Sequence, residues 1–344
     1  MQLTPCAMLA YMQAMKGLTD VPGFRVGHAT NADTITGCTV ILCPADTVGG
    51  VDVRGSATGT SELDALNPGH VTPFVHAIML SGGSAFGLEA ACGARVYLER
   101  HKIGFQVGSS AFPIVVPIVP SAILFDLAVA KPRSWPNREM GIKACELASD
   151  AAVAEGNVGA GTGATIGKIF GMKNAMKGGV GSASLTLGNG AMVSAFVVVN
   201  ALGDVIDPAN GTIVAGARKS PDSAEFANSA AAMRHGVGGG FSRGGNTTLA
   251  VIATNVKLNK VQISKVAALA SIGVIRTISP VNTMSDGDIT FALSCGNEAG
   301  SVDAVGVAAS EALAIAVLRA VRAAESIPGI PGLKQRGDKT SGKL

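Results

Sequence analysis

The stretch Gly244-Gly245-Asn246-Thr247-Thr248-Leu249-Ala250-Val251-Ile252-Ala253-Thr254-Asn255-Val256 sets a glycine turn directly against a β-branched run. From Thr247 onward it reads as a strand, apolar on both faces and therefore one that the fold covers on both sides. Ala191 to Asn200 has the same character through Phe196-Val197-Val198-Val199. Gly37 to Cys43, Gly49 to Arg54, Val180 to Leu187 and Ile289 to Cys295 read as further strands between glycine-rich turns. Helical spacing marks Ser84 to Arg100, with Ser84 as N-cap, and Arg138 to Ala154, Asp222 to His235, Lys260 to Ile275 and Asp303 to Ala324. The last two carry long faces of small residues, which suit close packing of helix on sheet. Strands and helices do not alternate regularly, so a doubly wound sheet is disfavoured. The pattern predicts an α/β protein with two stacked sheets and helices outside.

Composition narrows the function classes. Of 344 residues, 47% are hydrophobic and only 15% charged, which excludes bulk disorder. Aromatics are 4%, with a single Trp135, so the core is built from Ala, Val, Ile and Leu. A net charge of +3, with Lys and Arg scattered, gives no basis for a nucleic-acid partner. No segment reads as a membrane span: Ile103 to Phe125 is broken by three prolines, and Gly178 to Gly203 reads as strands. Six cysteines without a CxxC pair read as reduced thiols of a cytoplasmic protein. Residues 1–16 read as an N-terminal extension, with Met15 a plausible alternative start, 17–330 as one domain, and 331–344 as a flexible tail. The glycine-rich loop 236–246 is the one place where the chain could be divided.

Four motifs could carry chemistry. In Gly244-Gly245-Asn246-Thr247-Thr248, the Thr247 hydroxyl could attack the carbonyl before it and cleave the Asn246–Thr247 bond, leaving a nucleophile with its own α-amine as base. The same residues fit a plain turn into a Thr-rich strand. Asp286-Gly287-Asp288, before a strand, could orient a hydroxyl or hold an ammonium, or be a simple Asp-Gly turn. Gly82, Gly83 and Ser84 open a helix and could hold an oxyanion; the alternative is close loop–helix packing. Gly159 to Ala164, followed by Lys168, could cradle an anion or form a tight loop over a sheet. Asn200, at the end of an apolar strand, is an oxyanion donor or a turn former. The histidines have no metal-ligand spacing, and His28 and His235 read as turn residues; no metal or cofactor is expected.

Taken in order, the motifs resemble the DmpA-type L-aminopeptidase/D-esterase family. The resemblance rests on Leu18 to His28, Val51-Asp52-Val53-Arg54-Gly55, Ser81 to Leu88, Lys177 to Gly181, Gly245 to Thr248 and Asp286-Gly287-Asp288, and runs from about residue 17 to about 325. It implies a four-layer αββα sandwich of the N-terminal-nucleophile kind, self-cleaved into 1–246 and 247–344 and assembled as a homo-oligomer such as a tetramer. It also implies an aminopeptidase, amidase or esterase acting on small peptides, amides or esters. By the same resemblance Thr247 is the nucleophile, Asn200 helps bind the oxyanion, and Lys168, Asp286 and Asp288 match the branch of nylon-oligomer hydrolases. Phe125 departs from the pattern: well-studied members carry Tyr there, whose hydroxyl would serve the oxyanion. The rival readings are an acyltransferase resembling ornithine acetyltransferase and a non-catalytic binding protein.

Overall fold

The computed structural model describes residues 15–109, 111–237 and 245–334. The N-terminal extension up to residue 14, the loop segment 238–244 and the tail beyond Lys334 lie outside them.

Two five-stranded sheets face one another. The first has spatial order β1-β2-β5-β6-β4, from β1 (Arg25–Asn31), β2 (Thr36–Leu42), β4 (Gly59–Ser61), β5 (Ala77–Ser81) and β6 (Ser121–Ile123). The second is β7-β8-β9-β10-β3, from β3 (Val48–Val53), β7 (Gly179–Thr186), β8 (Met192–Asn200), β9 (Thr247–Val256) and β10 (Ile289–Glu298). Helices α1 (Glu89–Arg100) and α2 (Arg138–Glu146) cover the first sheet, and α3 (Lys260–Thr277) and α4 (Val302–Arg322) the second.

The period-two alternation of a strand builds these layers. In β8 and β9, Val193, Ala195, Val197, Val199, Ala250 and Ile252 face α3 and α4, while Phe196, Val198, Leu249, Val251 and Ala253 point into the core between the sheets. There they meet Ile41, Ile78 and Leu80 of the first sheet. The result is the four-layer αββα sandwich. Small residues let helix approach sheet and helix approach helix: a Cβ on Gly181 of β7 would run into the Ala316 carbonyl of α4, and one on Gly141 of α2 into the Ala90 carbonyl of α1. Helix α4 is long and apolar enough to cross a membrane, but 67% of its apolar window is buried against the second sheet.

Three local expectations change. Helix α2 ends at Glu146, not Ala154, because the chain turns to bridge β1, with Val26 and Ser149 exchanging backbone hydrogen bonds of 2.9 and 3.1 Å. The helix expected over 222–235 is only Ser229–Arg234, capped by Asn228, whose side chain accepts the Ala231 N–H. Ser84 is not an N-cap: it has a left-handed φ of 53° and starts a 3-10 turn, Ser84–Leu88, that precedes α1.

Candidate active site

The second sheet gathers residues that are far apart in the chain. Strands β8 and β9 pair antiparallel, with Asn200 opposite Thr247. Strands β9 and β10 run parallel, joined through α3, so the segment entering β10 lies beside the start of β9 and Asn246 bridges Asp286. Thus Asn200, Thr247, Asp286 and Asp288 share one end of one sheet. Lys168 joins them from the loop after the ribbon strand Thr165–Ile166, its Nζ donating to Asn200 O and Oδ1 at 2.9 Å each.

Asn200 is held in one orientation. Its Oδ1 also accepts the Thr165 N–H at 2.9 Å, so its amide nitrogen must face the other way. There Nδ2 donates to Phe125 O at 3.3 Å and Gly245 O at 3.4 Å. The Asn246–Thr247 peptide is buried, with Thr247 only 3% exposed. The Thr247 hydroxyl donates to Asn246 O at 2.6 Å, and the Gly287 N–H donates to the same oxygen at 2.7 Å.

The aspartates grip the chain around this peptide. Asp288 Oδ1 accepts the Thr248 N–H at 2.6 Å and Oδ2 accepts the Asn282 N–H at 3.0 Å. Asp286 Oδ2 accepts the Thr283 N–H at 2.7 Å. Their backbone carbonyls are buttressed by the 51–57 region: Arg54 and Gly55 N–H donate to Asp288 O, and Ala57 N–H to Asp286 O. That is what the Val51 to Gly55 motif does.

Burial sets the charges. It pulls the Lys168 amine down to about 7, against the attraction of Asp286, Asp288 and Asp126. It pushes Asp288 up to about 7, helped by the neighbouring Asp286, and it raises Asp286 as well. The site therefore holds groups that exchange protons near neutrality beside a hydroxyl and a carbonyl.

Other predicted positions do not work as expected. The N–H groups of Gly82, Gly83 and Ser84 are engaged by Gly37 O, Asp126 Oδ1 and Leu124 O, so this turn is closely packed and offers no oxyanion donor. Gly159 and Ala160 give their N–H groups to Thr30 and Thr39 hydroxyls, so that loop is no anion cradle. Phe125 is half-buried, and a Cβ on Gly245 would meet its Cβ at 2.7 Å; it contributes contact and a backbone carbonyl. His28 is a strand residue of β1, not a turn residue; it stacks on Phe196, and burial lowers it to about 4, leaving it neutral. No group of three or more His, Cys, Asp or Glu side chains could hold a metal among the described residues. Sequence reasoning missed two participants, the Gly287 N–H and Thr165, since a backbone donor leaves no side-chain signal. The requirement for glycine between two aspartates is the only trace of the first.

Comparison with known proteins places the chain in a family. The profile of peptidase family S58 matches residues 16–335. The chain is 40% identical to an uncharacterised aminopeptidase of Mycobacterium leprae, covering 94% of this chain and 95% of that one. It is 32% identical to the 6-aminohexanoate-oligomer endohydrolase of Paenarthrobacter ureafaciens, covering 88% and 84%. The L-aminopeptidase D-Ala-esterase/amidase of Ochrobactrum anthropi, a variant of the Ntn-hydrolase fold, superposes with a TM-score of 0.64 at 20% identity over 92% of this chain and 89% of that one. With the match running across nearly its whole length, this chain belongs to peptidase family S58, the DmpA-type aminopeptidases, and is a hydrolase of amide bonds.

Proposed function

We propose that the protein cleaves itself between Asn246 and Thr247 and then uses Thr247 as an N-terminal nucleophile against small peptides, amides or esters. The observation that carries this reading is the Thr247 hydroxyl lying 2.6 Å from the carbonyl oxygen of Asn246 in a buried peptide. In the first step Oγ1 bonds to the Asn246 carbonyl carbon and gives its proton to a neighbouring group that titrates near 7, for which neutral Lys168 is suited. The C–N bond then breaks, the Thr247 nitrogen takes a proton, and an Asn246 ester remains. Water hydrolyses it, leaving an Asn246 carboxylate and a free Thr247 amine and hydroxyl. In turnover that amine takes the hydroxyl proton and returns it to the leaving group, while Asn200 Nδ2 stabilises the oxyanion.

The names of the relatives support an amide substrate, an oligomeric ω-amino acid amide or a short peptide. A homo-oligomer is part of the same reading. The strands Phe105–Ser109 and Phe112–Val116 form a two-stranded ribbon with Val107, Phe112, Ile114 and Val116 exposed, which a second copy would cover.

The test is an intact mass measurement. Wild-type protein should resolve into pieces of about 25 and 10 kDa, the smaller beginning at Thr247, whereas Thr247→Ala should stay whole. Cleavage at the same bond in Thr247→Ala would sink the proposal.

A further inference from the structure

We infer that the backbone N–H of Gly287 is the oxyanion donor of the self-cleavage step, an inference that rests on the proposed self-processing. The Gly287 N–H already donates at 2.7 Å to Asn246 O, the atom on which charge develops when the carbonyl carbon is attacked. When Thr247 Oγ1 adds to the carbonyl carbon, the π electrons move onto that oxygen, and the hydroxyl that now hydrogen-bonds to it becomes the attacking atom. The hydroxyl contact is then consumed, and Gly287 remains as the donor already in place. The Phe125 side chain has no donor to offer, and Asn200 Nδ2 faces Gly245 O rather than Asn246 O.

The site is built around this amide. Asp286 is bridged to Asn246, and its carboxylate is held by the Thr283 N–H; Asp288 is held by Thr248 and Asn282. Asp288 thus holds the residue after the scissile peptide, while Asp286 fixes the turn that carries the Gly287 N–H. A Cβ at position 287 would lie 2.8 Å from Thr247 Oγ1 and 3.0 Å from Ala57 O, so only glycine brings its N–H this close to the reacting bond. The pair of aspartates is therefore a positioning device for a backbone donor as well as a source of charge.

The test replaces the amide by an ester in the full-length chain, incorporating glycolate at position 287, and follows cleavage by intact mass from freshly refolded protein. Lactate at position 57 is the structural control. It removes the Ala57 N–H bond to Asp286 O in the same loop but leaves the donor on Asn246 O intact. Gly287→glycolate should slow cleavage about 10²–10³-fold, and Ala57→lactate less than about tenfold. Equal slowing by both esters, or no slowing by the first, overturns the inference while the unmodified chain still cleaves. An unmodified chain that stays whole overturns the self-processing reading and this one with it.

Discussion

Under the proposed mechanism Lys168 sets the pH dependence of self-cleavage. Its amine donates to both oxygens of Asn200, and burial brings it down to about 7. As an ammonium it cannot accept the Thr247 proton, so self-cleavage should accelerate as pH rises through about 7, levelling off above. Lys168→Met should slow cleavage by about 10²-fold or more and abolish that rising limb, as read from mass time courses across the neutral range. A limb that survives in Lys168→Met would assign it to another group. Stability carries the opposite signs of the two buried groups. Lys168 is lowered from 10.5 to about 7, so the folded state sheds its proton first and stability rises with pH between those values. Asp288 is raised from 3.8 to about 7, so the folded state keeps a proton the unfolded chain has lost, and stability falls as pH rises through that window. At this scale Thr247, Asn200, Lys168 and the aspartates were legible as residue types, and the resemblance named their roles. The sequence could not show that the Gly82-Gly83-Ser84 amides were already taken, because their partners, Gly37, Asp126 and Leu124, come from other segments.

At the level of elements, the short ribbon Thr165–Ile166 with Met176–Lys177 matters more than its size suggests. Thr165 pairs with Lys177, and its N–H fixes Asn200 Oδ1. Lys177 is fully buried, and its Nζ donates to Gly161 O, Ala164 O and Gly178 O at 2.7–2.9 Å. Burial lowers its amine to about 7, opposed by Asp126, while three carbonyls match the three N–H bonds of the protonated form. Lys177→Met keeps the apolar stem but strips a donor from three carbonyls, and should lower the unfolding free energy by about 3 kcal/mol or more. Urea denaturation of the Thr247→Ala and Thr247→Ala/Lys177→Met chains measures it without interference from cleavage; an unchanged midpoint would mean that water replaces the amine. The Lys177-Gly178-Gly179 motif was visible in the sequence, but its job was not, since two of the three carbonyls the Lys177 amine reaches, those of Gly161 and Ala164, belong to a different loop.

For the molecule as a whole, connectivity decides what self-cleavage would do. Strands β9 and β10 lie between β8 and β3 in one sheet, so a piece beginning at Thr247 is bracketed on both sides by the piece ending at Asn246. Cleavage would open the site without parting the fragments. The exposed ribbon over 105–116 sets a second expectation. Two strands with Phe112 at 78% and Ile114 at 55% exposure are marginal in water on their own. Phe112→Ser with Ile114→Ser should reduce the particle mass seen by light scattering relative to wild type, with thermal stability of each protomer little changed. An unaltered mass would mean that this ribbon forms no interface between copies.

The sequence by itself determined the layers. Doubly apolar strands such as 192–200 and 247–256 have to be covered on both faces, and the small-residue helices α3 and α4 are what can lie close enough to cover one of them. It also marked Thr247 as a candidate hydroxyl, since a glycine turn abutting a buried strand is a local pattern, although the same residues fit a plain turn and only the family resemblance gave Thr247 its role. Only the tertiary structure decided which groups surround that hydroxyl. Pairing β9 antiparallel to β8 and parallel to β10 brings Asn200 and the Asp286–Asp288 loop to one sheet end from positions 47 and 39 residues away from Thr247. The helix end at 146 was likewise set by a partner the chain meets, Val26, whereas the start at 229 has both a local mark in the Asn228 cap and a tertiary one in the bond from Ser229 N–H to Asp204. Backbone hydrogen bonds such as Gly287 to Asn246 are written in no side chain, so they exist only once the strands have found their register.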